Sequence, residues 1–108
     1  QVLVNLIMNA IEAMGTIPRI QRIIVLRLHP GARSMHYVDV SDQGPGVSGE
    51  MASQIFEPYV TSKSSGLGMG LMICRTILEA HGGSIKLLRS RGSGAVFRFT
   101  LPEWSIQN

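Results

Sequence analysis

The stretch Gln1-Val-Leu-Val-Asn5-Leu-Ile-Met-Asn9-Ala-Ile-Glu12-Ala-Met14 decides the reading of this chain. At a helical period Asn5, Asn9 and Glu12 fall at i, i+4 and i+7, on one narrow stripe. Around that stripe Val2, Leu3, Val4, Leu6, Ile7, Met8, Ala10, Ile11, Ala13 and Met14 are all apolar. A helix apolar on so many sides is expected to pack on most of them, leaving its polar stripe facing an enclosed space. Two carboxamides and a carboxylate one turn apart can hold a metal ion and its waters against a polyanion. The competing reading is a solvated helix face, and the rest of the sequence has to choose.

Outward from the helix, Gly15-Thr-Ile-Pro18 stops it, because Gly suits a C-terminal cap and Pro cannot continue the hydrogen-bonding. Ile20 to His29 is β-rich and is expected to be a strand. Pro30 to Ser34 is a turn, and Met35 to Ser41 alternates as the returning strand of a hairpin. Asp42-Gln-Gly44-Pro-Gly46 is a tight turn. Ser48 is a candidate N-cap, with Glu50 in the first turn, for a short helix through Ile55. Phe56 to Ser65 has no periodicity and reads as a loop. Gly66-Leu-Gly68-Met-Gly70 opens a second long helix through Ala80. Ser84 to Arg89 and Ala95 to Leu101 are strands of a second hairpin. Helix, hairpin, short helix, glycine loop, helix, hairpin implies an α/β (α+β) two-layer sandwich, with helices on one face of a mixed, largely antiparallel sheet.

The totals narrow the function classes. A chain of 108 residues with 44% hydrophobic and 16% charged residues is one globular domain, residues 1–108. Its net charge is +3 and its pI about 9.6, but the basic residues are scattered and no nucleic-acid motif accompanies them. No apolar run is long enough to span a bilayer, and the single Cys74 cannot form an internal disulfide. A domain with no direct membrane contact, in a reducing cytoplasmic compartment, is expected. The chain also starts inside a helix without a cap, so it reads as an N-terminally truncated piece of a longer protein.

Gly44-Pro-Gly46-Val-Ser-Gly49 matches G-x-G-x-x-G literally, after a strand and before a helix. A dinucleotide fold also needs a full-length helix and a parallel second strand, and Pro58 and the Thr61-Ser-Lys63-Ser-Ser-Gly66 run supply neither. Asp42 says more. A carboxylate leaving a strand can accept a hydrogen bond from an exocyclic amine such as that of adenine, while Gly44 and Gly46 let a flat ring approach the backbone. Its local alternative is an Asx turn, in which Asp42 caps its own loop. Gly66, Gly68 and Gly70 lead into a helix N-terminus, whose free N–H groups favour anions, with Lys63, Thr61 and Ser62 just before. Singly, such a glycine loop is equally a flexible connection.

Together these segments resemble the histidine-kinase branch of the gyrase, chaperone, histidine kinase and MutL (GHKL) ATPase superfamily. Gln1 to Ala10 is similar to its N box, Asp42 to Gly46 to its G1 box, Ile55-Phe-Glu-Pro-Tyr59 to its F box and Gly66-Leu67-Gly68-Met-Gly70-Leu71 to its G2 box. Glu79 to Gly83 and Phe97 to Pro102 resemble its closing segment. The Asn-Ala-x-Glu-Ala-Met wording and short Thr-Ser-Lys lid are similar to nitrogen- and oxygen-responsive kinases.

The resemblance implies a Bergerat-type fold that binds ATP and Mg²⁺. Asn9 would be the metal ligand, Asn5 would support the phosphates, and Glu12 would lie near the pocket mouth. Asp42 would take the adenine amine beside Gly44 and Gly46. Phe56 to Ser65 would be a lid whose Thr61, Ser62 and Lys63 serve the phosphates, hinged by Gly66, Gly68 and Gly70, with Leu67 and Leu71 also among the nucleotide-binding residues. The superfamily's hydrolases carry a Glu at the position of Asn5 as the base that activates water. A carboxamide cannot serve as that base, so Asn5 implies transfer to a separate acceptor, with Asn9 and Lys63 as the other catalytic residues.

Ala95 departs from the pattern, standing where the superfamily often has Thr. None of His29, His36 and His81 has the helical His-Glu/Asp context of a phosphoacceptor, and all three read as structural. The implied function is γ-phosphoryl transfer to a histidine on the parent's own dimerisation/phosphoacceptor domain, and onward to a response regulator. The parent would be a homodimer, soluble or membrane-anchored, and the fragment a monomer. The alternatives are a GHKL serine kinase of the anti-sigma type and a non-catalytic nucleotide-sensing module.

Overall fold

The computed structural model describes residues 1–47, 49–52, 54–57, 70–89 and 94–103. Among these residues three helices and four strands follow in the order α1 (Val2–Ala13), β1 (Val25–Pro30), β2 (Met35–Ser41), α2 (Gly49–Ala52), α3 (Gly70–Ala80), β3 (Ser84–Arg89) and β4 (Val96–Pro102). Two single 3₁₀ turns, Met14–Thr16 and Arg19–Gln21, carry the chain from α1 to β1. Arg22 staples this connection, its guanidinium donating to the carbonyls of Ile17 (2.9 Å) and Gly15 (3.2 Å).

The strands form one sheet in the order β1-β2-β4-β3, and every pairing among them is antiparallel. The β1–β2 hairpin turns through Arg33 and Ser34, both with positive φ, and is closed by Gly31 N–H donating to the Met35 carbonyl at 2.7 Å. Strand alternation then assigns the faces. Val38 and Val40 of β2, Phe97 and Phe99 of β4 and Ile85 and Leu87 of β3 point to the helices. The buried core joins Val40, Ile85, Phe97 and Phe99 to Val2 and Leu6 of α1 and to Cys74 and Leu78 of α3. Phe56 adds an edge-to-face contact to Phe97, with ring centroids 6.3 Å apart. This is the expected two-layer α+β sandwich with helices on one sheet face.

Both long helices bury a stripe at a four-residue step, Val2, Leu6 and Ala10 in α1 and Cys74 and Leu78 in α3. The end of α3 follows from Gly82, whose φ of +81° suits a residue without Cβ. Gly83 N–H reaches the Leu78 carbonyl at 2.7 Å and Gly82 N–H that of Glu79 at 3.1 Å, the paired bonds of a Schellman ending.

Three expectations need correction. The first strand starts at Val25, not Ile20, which sits in a 3₁₀ turn and is 88% exposed. The register explains this: Val25 pairs with Ser41, the last residue of β2, so the residues before Val25 have no strand opposite them. α1 does not pack on most sides either, since Val4, Met8 and Ile11 are 61%, 47% and 50% exposed. Among the described residues a single helical layer meets the sheet, and α1 turns its Val2, Leu6 and Ala10 stripe into that core while Val4, Met8 and Ile11 stay outside it. Finally, α2 ends at Ala52 and Ile55 lies in the turn that follows; the proposed cap Ser48 lies outside the described residues.

Candidate active site

The polar stripe of α1 survives as a unit: Asn5, Asn9 and Glu12 are all half-buried, on a helix whose neighbouring stripe is packed in the core. From Asn5 to Glu12 it runs about 10 Å, at ~1.5 Å of helix rise per residue. Its two ends meet different parts of the chain.

At the C-terminal end, the turn after β2 packs on the helix. A Cβ on Gly44 would come within 2.7 Å of the Ala13 carbonyl oxygen and 3.1 Å of the Ala13 Cβ, so glycine is needed for this approach. Asp42 is buried, and its Oδ1 accepts the Gly44 N–H at 2.8 Å. The Asx turn weighed for Asp42 is thus formed, and it fixes the carboxylate beside the glycine turn rather than excluding a further role. The Asp42 N–H donates to the Ala95 carbonyl at 3.0 Å. Gly94 lies against the Asp42 carbonyl oxygen with φ +128°, which any side chain would clash with and strain. Gly46, with φ +82°, completes the turn, which the sequence reading had already assigned to glycine.

At the N-terminal end, α3 crosses the stripe. The Asn5 carboxamide Nδ2 donates to the Cys74 Sγ at 3.6 Å, and its Oδ1 receives a long contact of 3.5 Å from Gln1 Nε2. Cys74 is wholly buried, and burial pushes its thiol up from the ordinary range while the Asn5 bond pulls the other way. Gly70 and Leu71 are the first two residues of α3 and are half-buried. The structure therefore brings the Asp42–Gly46 turn to the C-terminal end of α1, through Gly44 on Ala13, and α3 to its N-terminal end, through Cys74 on Asn5. Thr61, Ser62, Lys63, Gly66, Leu67 and Gly68 lie outside the described residues.

The donor set fits a nucleotide-borne Mg²⁺ better than a protein-caged ion. Among the described residues no three His, Cys, Asp or Glu side chains group as metal ligands. A Mg²⁺ carried by phosphates takes most of its ligands from phosphate and water, with one or two protein oxygens. The half-buried Asn9 carboxamide carries an oxygen of that chemical kind. Sequence reasoning missed Cys74, Ala13 and the backbone of Ala95, each of which holds a site residue from a distant part of the chain. Only Gly94 gave a local signal, as a hairpin glycine.

The three histidines are engaged structurally. His29 Nε2 lies 3.4 Å from Asp39 Oδ2, His36 Nε2 lies 3.5 Å from Glu103 Oε1, and His81 Nδ1 donates to the Ile77 carbonyl at 2.8 Å.

Residues 1–105 match the family model of the histidine kinase-, DNA gyrase B- and HSP90-like ATPases. The chain belongs to that family. This ATPase domain is 45% identical over 102 residues to the C4-dicarboxylate transport sensor protein DctS of Rhodobacter capsulatus, covering 94% of this chain and 15% of that protein. It is also 45% identical to the sensor protein FixL of Bradyrhizobium diazoefficiens, over 94% of this chain and 20% of FixL. The chain thus spans about a fifth or less of these relatives. Among solved structures, the catalytic domain of histidine kinase ThkA superposes with a TM-score of 0.79 at 39% identity, over 95% of this chain and 64% of that one. A complex of ThkA with the response regulator protein TrrA matches with a TM-score of 0.74 at 36% identity, over 96% of this chain and 28% of ThkA. Among the described residues no helix is long and apolar enough to cross a membrane.

Proposed function

We propose that this domain binds Mg-ATP and transfers the γ-phosphoryl group to a histidine on a separate dimerisation/phosphoacceptor domain of its parent kinase. The observation that carries this reading is the carboxamide at position 5, half-buried and tied to Cys74. An ATPase that hydrolyses needs a base for water near the γ-phosphate, and a carboxamide has no basic lone pair at ordinary pH. Asn5 instead orients the phosphates through its amide hydrogens, and positioning of this kind is what phosphoryl transfer asks of a protein.

The roles follow the two ends of the stripe. Asp42, fixed by Gly44 N–H and by the Ala95 carbonyl, receives the adenine amine. Gly44 and Gly46 admit the ring, and Glu12 borders the pocket mouth. Asn9 offers its oxygen to the metal, and Asn5 supports the phosphates. Mg²⁺, when bound, supplies charge neutralisation across the phosphate oxygens. The N-terminus of α3 aims backbone N–H groups toward the same end, and Lys63 with Thr61 and Ser62 completes the cradle. An acceptor imidazole nitrogen then bonds to the γ-phosphorus as the bond to the β–γ bridging oxygen breaks and ADP leaves. The phosphoryl group passes on to a response regulator. The parent is a homodimer with this domain on the cytoplasmic side.

The relatives support this reading by their names, which are those of sensor proteins and sensor histidine kinases, and ThkA by its complex with a response regulator. The test is label transfer from γ-labelled ATP to an added dimerisation domain of a related sensor kinase. Acid-labile, base-stable label on that domain is the expected result. Release of inorganic phosphate with no labelled domain would contradict it, and acid-stable label would indicate serine.

A further inference from the structure

Asn5 is on the helix that opens the chain and Cys74 is one turn into α3, 69 residues later, yet they are directly bonded. The Cys74 Sγ receives the Asn5 Nδ2 at 3.6 Å and itself approaches the Val2 carbonyl oxygen at 3.9 Å, so the sulfur bridges two points in the first turn of α1. It does so from complete burial, in the seam between the two helices. We infer that Cys74 is a positioning residue: by taking one hydrogen of the Asn5 amide its thiol fixes the rotamer of Asn5, so that the second Nδ2 hydrogen is left to donate at the phosphate end of the site.

The physical argument starts from the shape of a carboxamide. Its oxygen accepts from Gln1 Nε2 at 3.5 Å, and its nitrogen carries two hydrogens in one plane, so the sulfur that takes one of them fixes the direction of the other. Burial favours the neutral thiol, and a neutral sulfur can accept from the amide while its own hydrogen is directed to a carbonyl. A methyl group in the same place would fill most of the space but leave the carboxamide free to rotate. α3 begins at Gly70, so the helix whose N-terminal N–H groups are read as facing the phosphates also carries, one turn on, the thiol that sets Asn5. One helix thereby aligns two phosphate-facing elements.

This inference rests on the reading of Asn5 as a phosphate support, and the experiment separates the two. Mg-ATP and adenosine affinities are measured by calorimetry for the full 108-residue chain and for Cys74→Ala, Cys74→Ser, Asn5→Ala and the Asn5→Ala/Cys74→Ala double variant, with thermal melts alongside. Adenosine has the base and ribose but no phosphates. Loss of one modest hydrogen bond predicts that Cys74→Ala weakens Mg-ATP by about three- to tenfold with adenosine unchanged. Cys74→Ser, whose hydroxyl can take the same bond, should stay within about twofold of wild type. In the Asn5→Ala background Cys74→Ala should add nothing, because the group it positions is gone. Equal losses for Mg-ATP and adenosine, or losses that multiply in the double variant, would overturn the inference and leave a packing residue. A wild-type Cys74→Ala beside a weakened Asn5→Ala would overturn it too, leaving the role of Asn5 intact. An Asn5→Ala variant that binds Mg-ATP normally would overturn both.

Discussion

The two faces of the sheet are held by different physics. On the helix-covered face Val40, Ile85, Phe97 and Phe99 are buried in one apolar cluster with Leu6, Cys74 and Leu78. On the opposite face the strand register lines up Arg27, Asp39, Arg98 and Lys86 in one row and His29, Tyr37, Thr100 and Ser84 in the next. There Arg98 forks onto Asp39 with bonds of 2.7 and 2.9 Å and lies 4.7 Å over the Tyr37 ring. His29 meets Tyr37 edge-on, and Ser84 and Thr100 share a 2.8 Å hydrogen bond. The Arg98 guanidinium holds the Asp39 carboxyl below the usual carboxylate range, although burial works against it. The covered face carries the cohesion and the candidate site; the other keeps an uncovered sheet surface ordered with paired polar groups.

The sharpest way to break this contrast is through the aromatic core. Phe99→Ala should destabilise by about 3–5 kcal/mol in denaturant unfolding, the usual cost of emptying a buried aromatic site. A cost below about 1 kcal/mol would mean the helices do not close on the sheet as described. Next in size is Gly94→Ala, which meets the Asp42 carbonyl at positive φ. It should cost about 1–3 kcal/mol and also weaken ATP, because the turn that aims Asp42 must move.

Asp39→Asn on the opposite face should lower the melting temperature less than Phe99→Ala does, and its effect should depend on pH. A folded-state carboxyl held below its unfolded value adds stability that is full above the ordinary aspartate range. That contribution is lost as pH falls through the lowered folded value, so the gap between variant and wild type should close in strong acid. A gap that persists unchanged there would show that shape, not charge, matters at Asp39. Ile20→Ser should do least, within about 0.5 kcal/mol of wild type, since this side chain is almost wholly exposed.

What sequence could and could not show divides along similar lines. The stripe of α1, the helix of residues 70–80 and strands β2, β3 and β4 announce themselves locally, because apolar spacing and turn glycines are local properties. Ile20 to Ile24 mislead because β-rich residues form a strand only where a partner runs alongside, and β2 ends opposite Val25. The exposed side of α1 misleads for the same reason: apolar spacing states what a helix can bury, and its surroundings determine what it does bury. Of the candidate residues, the placing of Asn5, Asn9 and Glu12 on one helix stripe and the turn at Asp42 are legible from spacing and residue type. Their supports are not, since Ala13 beneath Gly44, Ala95 on Asp42 and Cys74 on Asn5 are joined only by the folding of distant segments.

The central claim, that one side of the helical layer is an adenine-and-phosphate site anchored by Asp42, is tested most directly by calorimetric titration of ATP into wild type and Asp42→Asn. The substitution keeps an oxygen for the Gly44 N–H, so the turn should persist and the melting temperature change little. Loss of a charged acceptor predicts a drop in ATP affinity of about tenfold or more. A folded Asp42→Asn chain that binds ATP as wild type does would contradict the account.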